Sequence, residues 1–555
     1  MTYAITQTCC SDATCVSVCP VNCIHPTPGE PDFGRTEMLY IDPKSCIDCG
    51  ACADACPVDA VFPVDSLPAA QQEYGPLNAA YFADREPEQV RQGPNFHVWG
   101  EPSFTRSLPS DFAPLRVAVV GTGPAGMYAA EDLLLHTGAE VTLIDRLPAA
   151  GGLIRYGVAP DHLSTKKAGD TFARFHTHPR VRMHLGLEVG RDVTAEELAA
   201  HHDAVVYAVG APAGRRLGIP GEDLPGSICA TTFVSWYNAH PEVAPDAVDL
   251  AAERAVVVGN GNVALDAARI LVSDPDRLAA GDIAGHALEA LRSGSVREVV
   301  LLGRRGPGDA AYTRSELLAL RHLAGVRLVV DDHDPRTGAA IDAAGPTDRA
   351  ALLRDVPRET VDWSRPPPSG RRIVFRFHSS PVEALGDGGV TALRVTDGPD
   401  GTADASSREI PAGLVLRAVG QRGLPVAGLP FDEATGTVPH EGGRVTGLPG
   451  TYVVGWIKRG PSGGIGANRT CAAETVGTLL GDAVDGALPV PAHGAKAFRR
   501  LVRRRNRRIV DARGMAEIER AELALGRRDG RPRVKLATLP ELVAAARGGR
   551  RRIPG

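Results

Sequence analysis

The sequence predicts a small cysteine-rich α+β module followed by an α/β region with two Rossmann-like domains, and two observations point to it. Nine of the eleven cysteines lie before residue 57, in two crowded runs. Further along, residues 117–126 and 255–264 each place apolar residues directly before a glycine-rich turn and a helical pattern, which is the order of a dinucleotide-binding βαβ unit. At 555 residues the chain has room for roughly two to four domains.

Composition and charge exclude some classes of function. The formal net charge of −5 gives no reason to expect general binding to nucleic acid. No apolar run approaches the ~18 residues that a membrane-spanning helix needs, and the opening MTYAITQTCC lacks the basic and apolar segments of an export signal. We therefore expect a cytoplasmic protein without a membrane span, whose clustered cysteines bind metal rather than form disulfides.

The second cysteine run, CIDCGACADACP at 46–57, has an informative spacing. Cys46, Cys49, Cys52 and Cys56-Pro57 give C-x2-C-x2-C-x3-C-P, the bacterial iron–sulfur pattern in which the fourth cysteine binds the other cluster. Zinc, the alternative, favours C-x2-C pairs that are separated by a longer loop. The spacing therefore predicts iron–sulfur clusters.

The first run, CCSDATCVSVCP at 9–20, follows the same template with an aspartate at the second position. By the crossed rule, a complete ligand set for a [4Fe–4S] cluster, here called the four-cysteine set, consists of Cys19, Cys46, Cys49 and Cys52. The aspartate set consists of Cys9, Cys15 and Cys56, with Asp12 in the fourth place. Carboxylate suits soft iron–sulfur sites poorly, so this set predicts a [3Fe–4S] cluster or a [4Fe–4S] cluster with a labile iron. Cys10 is a less well spaced alternative to Cys9, and Cys23 is expected to pack near a cluster.

The first glycine-rich turn, Gly121-x-Gly123-x-x-Gly126, stands between a predicted strand and a predicted helix. Glycines at these positions let the backbone approach a pyrophosphate at the helix N-terminus. The next strand ends at Asp145, nineteen residues after Gly126. A carboxylate there can accept a hydrogen bond from a ribose hydroxyl and would repel a 2′-phosphate, so this site predicts FAD or NAD rather than NADP.

The second turn, Gly259-x-Gly261-x-x-Ala264, is followed by a strand that ends in Arg304 and Arg305 instead of an acid. Guanidinium groups match a phosphate in geometry and charge, so this site predicts NADP(H). A basic surface loop without a ligand is the alternative. Together the two sites predict a flavoenzyme that takes hydride from NADPH or returns it.

Six stretches carry a family resemblance: GTGPAG, RYGVAPDH, VVGNGNVALDAARIL, GRRGP, GWIKRGPSGGIGAN and GRPRVKL. On them, residues 115–545 resemble the adrenodoxin-reductase-type ferredoxin–NADP reductases, and residues 1–65 resemble a two-cluster bacterial ferredoxin. The whole chain thus resembles the fused bacterial ferredoxin/ferredoxin–NADP reductases. This resemblance implies an α+β ferredoxin module followed by an α/β flavoprotein with two Rossmann-like dinucleotide-binding domains.

The expected domain divisions follow the same resemblance. They are a ferredoxin domain with two clusters (1–65), a linker (66–114), an FAD-binding domain in two parts (115–213 and 421–490), an NADPH-binding domain (214–420) and a C-terminal helical extension (491–555).

The resemblance also implies roles for individual residues. FAD would be lined by Gly121, Gly123, Pro124, Ala125, Gly126, Asp145, Leu153 and Val189, with Trp456, Gly463, Gly464 and Ile465 at its ring. NADPH would be held by Asn260, Gly261, Asn262, Val263, Arg304, Arg305 and Glu316. His162 matches the active-site histidine, and a surface-loop histidine is the alternative. Ala319 stands where family members often carry a second carboxylate beside that histidine, so a histidine–glutamate proton relay is not predicted there.

The implied activity moves electrons between NADPH, FAD and the iron–sulfur clusters, to or from a one-electron acceptor such as a ferredoxin or a cytochrome P450 system. Two alternatives stay open. The chain could be an electron-input subunit of a larger complex, similar to the small subunit of glutamate synthase, or a redox-sensing iron–sulfur scaffold without enzymatic activity.

Two segments, 66–114 and 497–527, carry no motif that indicates a function. Residues 66–114 are rich in proline and lack apolar periodicity, which predicts a linker with aromatic residues that can dock on a neighbour, a fully disordered tether being the alternative. Residues 497–527 are basic at their start and helical in pattern. We favour a solvated helix face there over a docking patch for an acidic partner.

Overall fold

The structure is a computed structural model that describes residues 2–83, 106, 108–345, 348–397 and 407–548. Its N-terminal module is a small α+β fold built from short elements: β1 (Tyr3–Ile5), α1 (Thr14–Val18), β2 (Ile24–His25), β3 (Tyr40–Ile41), α2 (Ala51–Ala55), β4 (Val61–Pro63) and α3 (Tyr74–Tyr81). Strand β1 pairs antiparallel with β4, and β2 pairs antiparallel with β3. Helices α1 and α2 occupy equivalent places, since each is capped at its C-terminus by the last cysteine of a run, Cys19 or Cys56.

Helix α3 lies inside the predicted linker but belongs to the N-terminal module. The Asn78 side chain accepts hydrogen bonds from the backbone N–H groups of Ile5 (3.1 Å) and Ile41 (2.8 Å), and it donates to the Ile5 carbonyl (2.9 Å). One amide thus joins α3 to β1 and β3. Residues 66–83 are therefore folded against the module, which corrects the predicted boundary at 65. The remaining linker up to 105, and residue 107, lie outside the described residues.

The reductase part contains most of the regular structure. Its strands are β5 (Arg116–Val120), β6 (Glu140–Asp145), β7 (Val181–Leu185), β8 (Ala204–Tyr207), β9 (Ala213–Gly214), β10 (Ser227–Cys229), β11 (Arg254–Val258), β12 (Glu298–Leu302), β13 (Val326–Asp331), β14 (Arg358–Glu359), β15 (Arg371–Arg376), β16 (Ser379–Leu385), β17 (Ala392–Asp397), β18 (Ser407–Pro411), β19 (Leu414–Arg417), β20 (Gln421–Arg422), β21 (His440–Glu441), β22 (Arg444–Val445) and β23 (Thr451–Val453).

The α-helices of this part cover the faces of the sheets or follow them. They are α4 (Pro124–His136), α5 (Leu153–Tyr156), α6 (Leu163–Lys166), α7 (Ala168–His176), α8 (Ala195–Ala199), α9 (Ala230–Tyr237), α10 (Asn262–Val272), α11 (Pro275–Leu278), α12 (Gly285–Ser293), α13 (Arg314–Arg321), α14 (Pro335–Ala343), α15 (Trp456–Arg459), α16 (Ala467–Val484), α17 (Ala495–Arg505), α18 (Ala512–Arg528) and α19 (Leu539–Gly548).

Two largely parallel sheets form two Rossmann-like domains. The first has the strand order β21-β22-β23-β8-β5-β6-β7, and the second has the order β10-β19-β11-β12-β15-β13-β14. Strands β5 and β11 are buried in the interiors of their sheets, as their unbroken apolar runs predict. A separate antiparallel sheet, β16-β17-β18, packs beside the second domain.

The chain passes between the two domains twice, and the two passages pair with each other. Strand β9 pairs antiparallel with β20, with Ala213 opposite Arg422 and Gly214 opposite Gln421. These residues coincide with the predicted divisions at 213/214 and 420/421. The second domain is therefore an insertion in the first, connected to it by a two-stranded ribbon.

The C-terminal helices are integrated into the fold. Val510 and Leu185 exchange two backbone hydrogen bonds of 2.9 Å, which extends the first sheet, and Glu522 of α18 is fully buried. The arginines in the last turn of α17 are exposed, as a solvated helix face requires. None of the helices within the described ranges is long and apolar enough to cross a membrane.

Candidate functional site

The four-cysteine set lies around one cavity at the end of the N-terminal module. The cavity is lined by Cys19, Cys46, Cys49 and Cys52 together with Cys23. The sulfur of Cys23 is 3.4 Å from that of Cys19, which fits the expectation that Cys23 packs beside a cluster. Hydrogen bonding from Cys23 lowers the pKa of Cys19 and of Cys46 to about 6. Both thiols thus favour the thiolate form that binds iron.

The aspartate set gathers at the other end of the cysteine helices. The charges of Cys9, Asp12 and Cys56 all act on Cys15, and burial is the main reason why the pKa of Cys15 is raised. Burial also raises the pKa of Cys9 to about 11. The hydroxyl of Thr14 donates a hydrogen bond to the Asp12 carboxylate. These four side chains are therefore near one another, and their role as one ligand set stays a prediction.

The arrangement of sulfur atoms favours a cluster over a single ion. Four thiolates bound to one zinc ion at ~2.3 Å lie about 3.8 Å from one another. Among the described residues, the group of three metal-binding side chains whose ligand atoms all lie within 4.8 Å of one another contains no cysteine. Although Cys19 and Cys23 are 3.4 Å apart, no third cysteine sulfur among the described residues lies within 4.8 Å of both, as one zinc ion would require, and the residues present fit an iron–sulfur cluster.

The aspartate set faces the reductase, and the four-cysteine set faces away from it. The N–H of Gly466 donates to the Cys10 carbonyl at 2.7 Å, and Arg469 donates to the Asp12 carbonyl at 3.0 Å. A Cβ atom at Gly466 would lie 2.2 Å from the Cys10 oxygen, so the contact depends on glycine. In the four-cysteine set, by contrast, Cys49 is exposed and Ile47 is 58% exposed.

Three glycine-rich segments converge at the predicted FAD site. Helix α4 begins at Pro124, and no side chain caps its N-terminus at Gly123, which leaves the first N–H groups available to a pyrophosphate. A Cβ at Gly152 would lie 2.7 Å from the Gly123 Cα, and a Cβ at Gly455 would lie 2.5 Å from the Ala125 Cβ. Backbones that approach this closely form a cradle that fits a dinucleotide.

The acid at the end of β6 stands beside this cradle. The backbone N–H of Thr122 (2.9 Å) and its hydroxyl (2.6 Å) donate to Oδ2 of Asp145, and the N–H of Leu147 donates to Oδ1 (3.0 Å). These bonds fix the carboxylate at the edge where a ribose would lie.

The other residues expected at FAD belong to nearby loops and helix ends. Leu153 is the first residue of α5 and is 44% exposed. Val189 is half-buried after β7, and the Trp456 indole N–H donates to the carbonyls of Ser462 (3.0 Å) and Gly463 (3.3 Å). Around Gly464 there is open space, since an added Cβ would meet no atom within 4 Å. Ile465 packs on the core that includes the cysteine helices.

The predicted NADPH site repeats the pattern at α10. No side chain caps this helix at Gly261, and Val263 in its first turn is 41% exposed. Asn260 accepts a long hydrogen bond from the Ala311 N–H (3.4 Å), and Asn262 accepts one from the Thr313 N–H (2.8 Å). These two asparagines connect the glycine-rich turn to the segment that precedes Glu316.

Arg304 and Arg305 follow β12 and are both exposed. Strand β12 lies next to β11, and the N–H of Gly259 donates to the Leu302 carbonyl at 2.8 Å, so the arginines lie at the same sheet edge as the glycine-rich turn. Arg304 makes no hydrogen bond or ion pair with any residue that the structure describes. Its guanidinium is therefore available to a phosphate.

His162 lies in a group of three side chains with Asp266 of α10 and Glu316 of α13, all half-buried, whose ligand atoms lie within 4.8 Å of one another. Burial lowers the pKa of His162, and the charge of Glu316 opposes this shift. Arg269 pairs with Asp266 and with Asp161. His162 is therefore not a surface-loop histidine.

Asp266 is a residue that the sequence analysis missed. It stands in the quoted stretch VVGNGNVALDAARIL, within the helical pattern that follows the glycine-rich turn. Ala319 offers no carboxylate, and Asp266 of α10 places one next to His162 in addition to that of Glu316.

Comparison with known proteins agrees with this geometry. Residues 115–292 match the family of pyridine nucleotide-disulphide oxidoreductases, and residues 39–62 match the 4Fe-4S binding domain. A probable ferredoxin/ferredoxin–NADP reductase of Mycobacterium tuberculosis is 46% identical over 557 residues, which cover 98% of this chain and 95% of that protein. A probable ferredoxin/ferredoxin–NADP reductase of Mycobacterium leprae is 44% identical, with 99% and 98% covered.

The reductase part is also similar to a shorter protein. The NADPH-ferredoxin reductase FprA of Mycobacterium tuberculosis is 45% identical over 461 residues, which are 78% of this chain and all of FprA. The structure of FprA in complex with NADPH has a TM-score of 0.71 and 44% identity, and it covers 79% of this chain and the whole of FprA. The family resemblance predicted from the sequence is confirmed: this chain belongs to the ferredoxin/ferredoxin–NADP reductases.

Proposed function

We propose that this chain is an NADPH-dependent reductase with its own electron carrier, which moves electrons between NADPH and an external one-electron acceptor such as a ferredoxin. The observation that carries the proposal is the hydrogen bond from Gly466 to Cys10. It joins the aspartate set to the glycine-rich loop that the family resemblance assigns to the flavin ring. The full-length similarity to proteins named ferredoxin/ferredoxin–NADP reductase supports the proposal.

The bound groups supply chemistry that no side chain offers, because FAD can take two electrons together and release them singly, while iron–sulfur clusters carry one at a time. The chain's own residues bind and orient these groups. The turn at Gly121–Gly126 and the loop at Gly463–Ile465 would hold FAD. Arg304 and Arg305 would bind the 2′-phosphate of NADPH.

We assign two clusters to the N-terminal module, a [4Fe–4S] cluster in the four-cysteine set and a [3Fe–4S] or labile [4Fe–4S] cluster in the aspartate set. The second assignment rests on Asp12, a poor iron ligand whose carboxylate already accepts a hydrogen bond from Thr14. Asp12→Cys should supply the missing thiolate. Electron paramagnetic resonance of air-exposed protein should show a [3Fe–4S] signal that this variant suppresses; the same signal in both proteins would contradict the assignment.

The choice of nicotinamide cofactor tests the reductase role. Arg304→Ala should reduce kcat/KM for NADPH far more than for NADH. The expected loss of transition-state stabilisation with NADPH is roughly 1.5–3 kcal/mol, the value of one charged hydrogen bond. An equal loss with both cofactors would reject recognition of the 2′-phosphate by Arg304.

The electron path is tested by mixing the full-length protein with NADPH in a stopped-flow instrument while the flavin and iron–sulfur absorption bands are followed separately. Bleaching of both bands, followed by turnover on an added ferredoxin, is the expected result. Flavin bleaching without any change in the iron–sulfur bands would place the N-terminal module off the path. A cytoplasmic location and an acceptor such as a cytochrome P450 system stay predictions.

A further inference from the structure

Side chains of the N-terminal module reach the first turn of helix α13, deep in the NADPH-binding domain. Nε2 of Gln7 donates a hydrogen bond to Oε2 of Glu316 at 2.9 Å. Glu37 accepts from the backbone N–H of Arg314 at 2.7 Å, and the hydroxyl of Tyr74 donates to the carbonyl of Ser315 at 3.3 Å. Three consecutive residues of one helical turn are thus contacted from the module.

The same turn is tied to the nucleotide site from its other side. Thr313, which caps α13, donates its N–H to Asn262 in the glycine-rich turn, and Glu316 belongs to the group with His162 and Asp266. Glu316 therefore lies between the nucleotide site and the N-terminal module. Gln7 makes the direct side-chain contact with its carboxylate.

The charges around Glu316 explain why its carboxylate benefits from a hydrogen-bond donor. A second carboxylate, that of Asp266, lies within 4.8 Å and repels it. Arg269 pairs with Asp266 and with Asp161, and its charge also acts on Glu316. The amide of Gln7 donates a hydrogen bond directly to the Glu316 carboxylate. An amide N–H directed at a carboxylate makes a strong, charge-assisted hydrogen bond that fixes its orientation.

We propose that Gln7 is a positioning residue of the NADP(H) site: it holds the Glu316 carboxylate in the orientation that binds NADP(H), so the ferredoxin module completes the nucleotide site of its own reductase. The proposal rests on the proposed function, which gives Glu316 its role. It predicts that NADP(H) affinity depends on a residue of the electron-carrier module, outside both Rossmann-like domains.

The test measures the dissociation constant of NADP+ for the full-length protein loaded with FAD and iron, from the change in flavin absorption on titration. Gln7→Leu keeps the size of the side chain but removes the donor, and it should raise this constant about tenfold. Gln7→Lys keeps a donor and should stay within about twofold of the wild type. Gln72→Leu, at an exposed position of the same module, should bind NADP+ as the wild type does.

A second pair of variants separates positioning from general loosening of the module. Glu37→Gln weakens the contacts with Arg314 and Arg349 without touching Glu316, and it should leave the dissociation constant within about twofold. In a Glu316→Gln background, Gln7→Leu should cause no further increase, because Gln7 acts through that carboxylate. If Gln7→Leu lowers the iron content, Gln7→Asn replaces it, since that amide is too short to reach Glu316.

Several results would overturn the proposal. Wild-type affinity in Gln7→Leu would do so, as would an equal loss in Glu37→Gln or additive losses in the double variant. Failure of the proposed function looks different: if the wild-type protein does not bind NADP+, or if Glu316→Gln binds it unchanged, the role given to Glu316 itself is wrong.

Discussion

The FAD-binding domain forms two interfaces of different character, one with the NADPH-binding domain and the C-terminal helices and the other with the ferredoxin module. Toward the NADPH-binding domain and the C-terminal helices, it contributes Lys166 and Arg155 to a buried ionic network. Asp282 accepts from the ammonium groups of Lys166 (2.5 Å) and Lys535 (2.9 Å), and Arg155 pairs with Glu522. All these side chains are at most 10% exposed.

Toward the ferredoxin module the same domain offers no buried ion pair among the described residues, although the two parts share an apolar core. Its polar contacts are the backbone hydrogen bond from Gly466 to Cys10, the bonds from Arg469 to the Asp12 carbonyl and the Thr14 hydroxyl, and the ion pair of Lys167 with Asp59, whose side chains are about half exposed. Removing one partner of a buried pair costs about 3–5 kcal/mol, whereas an exposed pair is worth about 0–1 kcal/mol. Loss of one polar partner should therefore weaken the first interface more than the second.

The largest effect is expected from the buried network. Asp282→Ala leaves two buried ammonium groups without their shared carboxylate, and we expect a loss of about 3–5 kcal/mol in stability. Heating while flavin fluorescence is monitored should release FAD at a clearly lower temperature than in the wild type. Asp276→Ala, which removes only an exposed pair with Arg292, is the matched control. Equal release temperatures for the two variants would contradict the comparison.

Gly466→Ala should break the ferredoxin contact and little else. The backbone of Gly466 is helical, so alanine fits locally, but the new Cβ would lie 2.2 Å from the Cys10 oxygen and the module must shift. We expect NADPH-driven reduction of ferricyanide, which can take electrons directly from flavin, to persist. Reduction of an added ferredoxin should fall at least about tenfold.

The control for this variant is Gly481→Ala in helix α16, where an added Cβ meets no atom within 4 Å. It should leave both rates unchanged. Undiminished ferredoxin reduction by Gly466→Ala would show that the close approach at Gly466 is not needed for electron transfer.

The smallest effect is expected at the exposed ion pair. Lys167→Ala removes the partner of Asp59 and should slow ferredoxin reduction by no more than about twofold, since exposed ion pairs contribute little. Salt screens exposed charges, so the difference from the wild type should vanish near 1 M salt. A loss as large as that of Gly466→Ala would mean that surface charge, and not the backbone contact, holds the module.

The parts of this molecule that could be predicted from sequence are those fixed by local spacing. The spacing of the two cysteine runs predicts which thiols share a cluster, because cluster geometry demands short intervals, and the glycine-rich turns predict both dinucleotide sites. Asp266 and Gln7 could not be found in this way. Their roles arise where segments 50 to 309 residues apart pack together, and neither residue belongs to a local pattern.

Helix α3 is a second feature that local sequence patterns could not predict. Its eight residues, YGPLNAAY, contain glycine and proline and have no strong apolar periodicity, so the segment suggested a linker. Tertiary contacts determine the conformation of this segment instead. Asn78 is buried, and its side chain accepts hydrogen bonds from backbone N–H groups of two strands. Burial of Tyr74 and Leu77 together with Asn78 thus outweighs the weak local helix propensity of the segment.

The Asn78 side chain also determines where a fragment that contains only the electron-carrier module should end. A fragment that stops at residue 65 loses Asn78 and leaves the N–H groups of Ile5 and Ile41 without their acceptor, each at a cost of about 1–3 kcal/mol. A transferable cassette for joining this carrier to another oxidoreductase should instead extend to residue 83. Retention of iron during gel filtration by the longer fragment, and its loss from the shorter one, would mark the right place for the cut.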